Sequence, residues 1–115
     1  MTHSYIALDL ETTGLEAKTE KIIEIAALKV VEGQITDRFV TLVNPCRLLG
    51  ERITELTGIT DPMVENAPVI GDMIGQVVDF CGKLPLLGHN ILFDYSFLKR
   101  AAVNQGLEFE RTGLD

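Results

Sequence analysis

Apolar and polar residues alternate near the beginning of the chain in a pattern that is typical of a β-strand. Over residues 4–10, the side chains of Ile6, Leu8 and Leu10 fall on one face, whereas that of Asp9 falls on the other. A segment this apolar predicts a strand in the interior of a sheet rather than at its edge.

Three later segments predict further strands. Residues 21–31 and 35–43 are rich in β-branched residues, and Glu-Gly-Gln at residues 32–34 predicts a turn that joins them into a hairpin. An Asn-Pro pair then ends the hairpin. A short apolar run at residues 84–87 predicts a fourth, buried strand.

Helical spacing of apolar residues marks three other segments. Residues 50–58 predict a short helix that ends at a glycine, and residues 70–81 predict a longer helix that ends before Gly82. Residues 91–104 predict a last helix, with Gly106 as its stop. This order of strands and helices predicts an α/β fold in which helices flank a mixed central sheet.

The composition is that of a single globular domain, with 46% hydrophobic and 23% charged residues in a chain of 115. Seventeen acidic residues against ten basic ones give a formal charge of −7. That charge argues against a broad, sequence-independent grip on nucleic acid, because such a grip depends on Lys and Arg that neutralise phosphates. A small phosphate site that is assisted by a metal ion remains compatible with it.

The sequence also bears on location. No segment approaches the ~20 apolar residues that a membrane span needs, and acidic residues interrupt the beginning of the chain too early for a signal peptide. We therefore expect a cytoplasmic protein without membrane contact. Cys46 and Cys81 are far apart and outside any metal-binding spacing, so both are expected to be buried in a reducing compartment.

Three carboxylates are candidates for chemistry. Asp9 and Glu11 lie two residues apart on the first predicted strand, so both side chains leave the same face. Asp94 lies on the last predicted helix and shares its apolar face with Phe97 and Leu98. Burial and mutual repulsion would raise the pKa values of such carboxylates, and hard divalent cations relieve both effects. Two such ions suit phosphodiester hydrolysis, although most acidic residues in proteins are simply solvated.

Four short strings of residues favour a metal site over acidic residues that are simply solvated. They are D-L-E-T-T-G at residues 9–14, I-I-E-I-A-A at residues 22–27, T-G-I at residues 57–59 and G-H-N-x-x-F-D at residues 88–94. In this order, and over nearly the whole chain, they resemble the DEDD superfamily of 3′–5′ exonucleases, in particular its proofreading epsilon-subunit and PolC-type branches.

The resemblance implies an RNase H-like α/β fold and a metal-dependent 3′–5′ exonuclease, with DNA favoured over RNA as the substrate. It implies that Asp9, Glu11 and Asp94 are the catalytic carboxylates and hold two divalent cations, Mg²⁺ or Mn²⁺. One apolar residue of the T-G-I string would lie as a wedge beside the terminal base. The implied substrate-binding residues are Thr12, Thr13, Gly14, Ile59, His89 and Asn90.

Some of these residues admit a second interpretation. His89 and Asn90 are equally compatible with a hydrogen-bonded histidine at the end of a strand and an asparagine that caps a helix. The superfamily counterpart of Glu24 braces the loop after the first strand, and an outward-facing strand glutamate is the alternative. Residues 18–21, with Lys18 and Glu20, have the composition of a solvated loop.

The superfamily has a third motif, in which a His or Tyr precedes an Asp and supplies the general base and a fourth carboxylate. The two histidines of this chain, His3 and His89, lie outside such a motif, and residues 111–115 resemble the approach to a further strand. We therefore expect residues 1–115 to be the amino-terminal portion of an exonuclease domain, with the C-terminal part of that domain missing. The fragment alone is expected to be weakly active or inactive. An RNA-directed exonuclease of the same superfamily, and a non-catalytic module that binds ions or docks onto a DNA polymerase, are the alternatives.

Overall fold

A computed structural model describes residues 3–111 and 113–114 of the chain. Within these residues the chain folds into one five-stranded sheet with four helices. In chain order the elements are β1 (Tyr5–Thr12), β2 (Ile22–Val31), β3 (Gln34–Leu42), α1 (Gly50–Thr57), α2 (Asp61–Glu65), α3 (Ile70–Cys81), β4 (Leu86–Leu87), α4 (Ile91–Asn104) and β5 (Gly113–Leu114).

The sheet is mixed, and its strand order is β3-β2-β1-β4-β5. β1 pairs antiparallel with β2 and parallel with β4, so it lies in the middle of the sheet as its apolar pattern predicts. The hairpin of β2 and β3 turns on two residues, Glu32 at φ 50° and Gly33 at φ 79°. Two consecutive positive φ angles are typical of the type I′ turn, which matches the twist of the flanking strands.

The main core lies on the face of β1 that the alternation predicts. Ile6, Leu8 and Leu10 are all buried there, and they pack with residues from α3 and α4 such as Ile74 and Leu98. The opposite face of β1 carries Asp9, which is exposed. The two faces of β1 therefore separate the apolar core from the side chains of Asp9 and Glu11.

A second, smaller core holds the segment that contains α1 and α2. Ile23 at the beginning of β2 packs there with Leu49, Ile59 and Val64. The five-residue helix α2 is absent from the predictions because it is too short to show a helical period. Its beginning carries local signals instead, namely Thr60 as the residue before the first turn and a proline within that turn.

Other expectations are corrected in detail. β4 comprises two residues rather than the four at 84–87. Cys81 is buried as expected, whereas Cys46 is exposed, because it lies in a turn after β3 at φ 59°. Within residues 111–115, β5 supplies the expected further strand, and Thr112 and Asp115 lie outside the described residues. No helix in the described ranges is long and apolar enough to cross a membrane.

Candidate active site

Asp9 and Glu11 lie in the half of β1 that continues past its partner β4. The pairing of β1 with β4 covers only Ile6 and Ala7, so on that side the end of β1 has no neighbouring strand. The side chain of Asp9 is exposed and that of Glu11 is half-buried. The end of the central strand thus presents two carboxylates beside an open position in the sheet.

Asp94 approaches the end of β1 from the first turn of α4. Its side chain is only 5% exposed, and it is the one charged residue in the buried class within the described part of the chain. The backbone N–H of Leu10 lies close enough to the Asp94 carboxylate to favour its charged form, and the charges of Asp9 and Glu11 act on it as well. Because Leu10 lies between Asp9 and Glu11, Asp94 is near both of them.

The electrostatics of the three carboxylates are coupled. Burial is the main reason that the pKa of Asp94 is raised to about 6, and the negative charges of Asp9 and Glu11 raise it further. The Leu10 N–H and the nearby His89 oppose this effect. Burial also raises the pKa of Glu11, with smaller contributions from Asp9 and Glu24. The structure therefore brings the three predicted carboxylates within electrostatic reach of one another.

Glu24 joins this acidic group from the neighbouring strand. In the register of β1 and β2 it lies directly opposite Glu11, and its side chain is half-buried. Carboxylates directly opposite each other on paired strands repel. Glu24 is therefore more than an outward-facing strand residue, and its charge acts on the candidate site.

The chemistry of this donor set suits a hard divalent cation. All the donors are carboxylates, and two of them, Glu11 and Asp94, have raised pKa values through burial and neighbouring negative charge. Within residues 3–111 and 113–114, no three His, Cys, Asp or Glu side chains are already arranged so that they could hold a metal ion. A cation among the carboxylates would replace their repulsion by attraction, and the side chains would have to move closer to enclose it.

The loop between β1 and β2, residues 13–21, is held by hydrogen bonds from the threonines that follow Glu11. Thr12 Oγ1 donates to the carbonyl oxygen of Gly14 at 2.7 Å, and Thr13 Oγ1 donates to Glu20 Oε1 at 2.7 Å. Thr13 Oγ1 also accepts the backbone N–H of Lys21 at 2.9 Å. Glu20 is therefore a structural partner of Thr13, which corrects the expectation of a merely solvated loop.

A cavity of about 500 Å³ opens beside this loop and faces α1. Two leucines form its apolar rim, Leu15 with 84% and Leu56 with 70% of its surface exposed. The residues that line it are Thr12, Thr13, Gly14, Leu15, Glu16, Glu20, Arg52, Ile53, Leu56 and Thr57. It therefore contains three of the predicted substrate-binding residues.

Ile59, the predicted apolar wedge, does not line this cavity. Its side chain is 3% exposed and belongs to the second core, so it has no surface to offer a nucleotide. Leu56, three residues earlier and on the helix α1, is the apolar residue that faces the cavity. The T-G-I string lies next to this cavity, but the burial of Ile59 in the second core speaks against the expected role of that residue as the wedge.

His89 and Asn90 lie on the turn between β4 and α4, and both are exposed. His89 is near Asp94, since its charge acts on the pKa of that carboxyl group. Asn90 occupies the position before the first turn of α4 at φ 51°, and its side chain makes no capping hydrogen bond. Asn90 therefore occupies the N-cap position that the second interpretation expects, without a hydrogen bond from its side chain.

Gly88 sets how closely this turn approaches β1. A Cβ atom at position 88 would lie 2.5 Å from the backbone oxygen of Leu8, which is too close for any side chain without a shift of the backbone. The turn therefore lies directly against β1, and α4 begins beside the strand that carries Asp9 and Glu11.

Comparison with known proteins identifies the family of the chain. A sequence model of the RNase T exonuclease family matches residues 6–108, and the chain therefore belongs to that exonuclease family. It is 39% identical over 111 residues to the PolC-type DNA polymerase III of Clostridium perfringens, a match that covers 96% of this chain and 8% of that protein. It is 44% identical over 108 residues to the PolC-type DNA polymerase III of Bacillus subtilis, covering 94% of this chain and 7% of the relative.

The fold is that of a solved exonuclease. The crystal structure of E. coli exonuclease I in complex with a dT13 oligonucleotide matches with a TM-score of 0.77 and 17% identity, over 93% of this chain and 25% of that one. The predicted RNase H-like α/β fold is thereby confirmed. Membership of an exonuclease family implies the use of divalent metal ions. The chain spans less than a tenth of the PolC-type relatives and about a quarter of exonuclease I.

Proposed function

We propose that this chain is the amino-terminal portion of a metal-dependent 3′–5′ exonuclease domain that hydrolyses phosphodiester bonds at the 3′ ends of nucleic acid. The observation that carries the proposal is the position of Asp94. This carboxylate is buried beside β1, with its pKa raised by burial and then by the charge of Asp9. A buried carboxylate next to two others costs free energy unless a cation is bound, so its position favours a metal site. The exonuclease family to which the chain belongs supplies the kind of reaction.

Asp9, Glu11 and Asp94 would hold the divalent cations, for which Mg²⁺ and Mn²⁺ are the candidates because all the ligands are oxygens. When bound, such ions polarise a phosphoryl oxygen and lower the pKa of a water molecule. The third of these ligands would be held in place by this chain's own packing, since Asp94 is 5% exposed and lies beside Leu10.

The cavity beside the β1–β2 loop is the proposed site for the terminal nucleotide. Thr12, Thr13 and Gly14 lie at its wall directly after Glu11, so a nucleotide there would place its phosphate near the carboxylates. Leu15 and Leu56 would contact the faces of the base and sugar, taking the role that the sequence suggested for Ile59. His89 and Asn90, exposed on the turn before α4, would approach from the side of Asp94.

Proofreading of DNA is the use that the relatives favour. The matched region lies in PolC-type DNA polymerases III, and exonuclease I was crystallised with a DNA oligonucleotide. A DNA polymerase catalytic subunit is accordingly the proposed protein partner, and the cytoplasm is the proposed location. An exoribonuclease would bind the same cavity with contacts to the 2′-hydroxyl group, so a comparison of DNA and RNA substrates separates the two.

The general base and the fourth carboxylate are proposed to lie in sequence that follows these residues. Loss of a positioned general base reduces the rate of such reactions by roughly 10²–10⁴-fold. Residues 1–115 alone should therefore be weakly active or inactive. A non-catalytic docking module would instead show no activity in any longer form of the protein.

The test is the digestion of a single-stranded DNA oligonucleotide labelled internally, with Mg²⁺ or Mn²⁺, by the full-length protein that carries these residues. We expect removal of one nucleotide at a time from the 3′ end. Asp9→Asn should abolish it, whereas Asp37→Asn, on the exposed strand β3, should leave it unchanged. Absence of metal-dependent digestion, or equal activity of Asp9→Asn, would overturn the proposal.

A further inference from the structure

Arg47 connects two parts of the chain that are remote in sequence. It lies between β3 and α1, yet its Nη2 donates a hydrogen bond to the backbone oxygen of Thr19 at 3.0 Å. Its Nη1 lies 3.5 Å from Glu20 Oε1. Both nitrogens therefore contact the end of the β1–β2 loop, while 42% of the Arg47 side-chain surface remains exposed.

Glu20 connects Arg47 to Thr13, which follows the acidic residues at the end of β1. The same atom, Glu20 Oε1, accepts the hydrogen bond of Thr13 Oγ1 at 2.7 Å. The Glu20 side chain also lies against Gly14, where an added Cβ atom would come within 2.8 Å of Glu20 Cγ. Thr13 is in turn bonded in both directions to Lys21, with its N–H donating to the Lys21 carbonyl at 2.8 Å and its hydroxyl accepting the Lys21 N–H at 2.9 Å.

We propose that Arg47 and Glu20 are positioning residues of the exonuclease site, which clamp the β1–β2 loop in the shape that receives the terminal nucleotide. This inference rests on the proposed function. The clamp ends at Thr13 and Gly14, which line the cavity and follow Glu11 by two and three residues. A loop that is ordered before the substrate arrives loses less conformational entropy on binding, and so binds more tightly.

The chemistry of both residues fits a clamp better than a direct substrate contact. Arg47 uses the two ends of its guanidinium group, a geometry that lysine cannot reproduce with one ammonium. Glu20 accepts from Thr13 and faces Arg47 with the same oxygen, so glutamine would retain the first contact and lose the charge for the second. Arg47→Lys therefore keeps the charge and loses the two-ended geometry, whereas Glu20→Gln keeps the shape and loses the charge.

The experiment measures binding and loop order in the full-length protein, with Ca²⁺ in place of the catalytic ion so that the substrate is not consumed. The probe is a single-stranded DNA oligonucleotide with 2-aminopurine at its 3′ end, whose fluorescence reports on the terminal base. Amide hydrogen exchange at Thr13 and Lys21 reports on the loop. Arg38→Ala is the matched control, because Arg38 is an exposed arginine on β3 whose side chain has no hydrogen bond or ion pair within the described residues.

We expect Arg47→Ala to weaken oligonucleotide binding about fivefold, the upper end for an exposed ion pair, and to speed exchange of the Lys21 amide by a similar factor. Arg47→Lys and Glu20→Gln should each cause roughly a twofold loss, and they carry the test if the alanine variant fails to fold. Arg38→Ala should match the wild type in both measurements.

Two results would overturn the inference, and they differ in what else they affect. If the wild type binds the probe and the Arg47 and Glu20 variants bind it equally well, with unchanged exchange at Lys21, the clamp has no role and the proposed function stands. If the wild type does not bind the probe at all, the proposed function fails and the inference fails with it.

Discussion

The carboxyl group of Asp94 lies beside the backbone N–H of Leu10, and this proximity joins the central strand to the last helix at the acidic site. Leu10 lies beyond the residues of β1 that pair with β4, so the carboxyl group approaches β1 where that strand has no partner on this side. Burial removes water from around the Asp94 carboxyl group, and this desolvation raises its pKa. The energetics of the site can therefore be tested through Asp94.

Stability of the metal-free protein should fall as pH rises through the titration of Asp94. The folded pKa of about 6 exceeds the ordinary value of 3.8, so the folded state binds the proton more tightly than the unfolded state. The stability that this provides is complete below pH 4 and lost as pH approaches 6. Asp94→Asn, which cannot ionise, should therefore be more stable than the wild type above pH 6, by about 1–3 kcal/mol.

Denaturant unfolding in EDTA, at several values between pH 4 and pH 8, measures this difference. Asparagine has nearly the same size and keeps a carbonyl oxygen that can accept a hydrogen bond, so the substitution removes the charge and changes little else. Asp37→Asn, at an exposed position on β3, is the control and should show no such rise. A difference between Asp94→Asn and the wild type that does not vary with pH would contradict the account.

Glu24→Gln should lower the pKa of Glu11. Glu24 lies opposite Glu11 in the register of β1 and β2, and its charge contributes to the raised pKa of that group. Removing one of two like charges in a cross-strand pair should also stabilise the metal-free protein by about 0.2–1 kcal/mol. Titration of the Glu11 carboxyl carbon by NMR measures the first effect. An unchanged pKa would mean that the two side chains point apart.

Leu56 and Ile59 should respond in opposite ways to substitution by alanine. Ile59→Ala removes buried atoms from the second core and should lower the free energy of unfolding by about 2–4 kcal/mol. Leu56→Ala removes an exposed side chain from the cavity rim, so it should leave stability nearly unchanged and weaken oligonucleotide binding several-fold. Unfolding and binding measured on both variants would show the reverse pattern if Ile59 were the apolar wedge.

Much of the fold follows from local patterns in the sequence. The alternation at Ile6, Leu8 and Leu10 correctly predicts both the central position of β1 and its buried face. The helices at 50–58, 70–81 and 91–104 follow because apolar spacing and terminal glycines are visible within one element. The helix α2 is missed since five residues contain too little of a helical period.

The site is predicted less completely from the sequence, because its contacts join residues that are distant along the chain. The position of Asp94 on the apolar face of α4 predicts that it points inward, but not that it lies beside Leu10, between Asp9 and Glu11. Arg47 and Glu20 belong to segments without a periodic pattern, so nothing local signals that they meet. The burial of Ile59 and the exposure of Leu56 likewise depend on which side chain the second core accepts.

Calorimetric titration of Mn²⁺ into the full-length protein at neutral pH tests the central claim most directly, namely that Asp9, Glu11 and Asp94 together hold a divalent cation. The account predicts saturable binding that Asp94→Asn weakens at least tenfold, roughly the effect of one lost charged ligand, and that Asp37→Asn leaves unchanged. Absence of saturable binding to the wild type, or equal affinities for the wild type and Asp94→Asn, would contradict it.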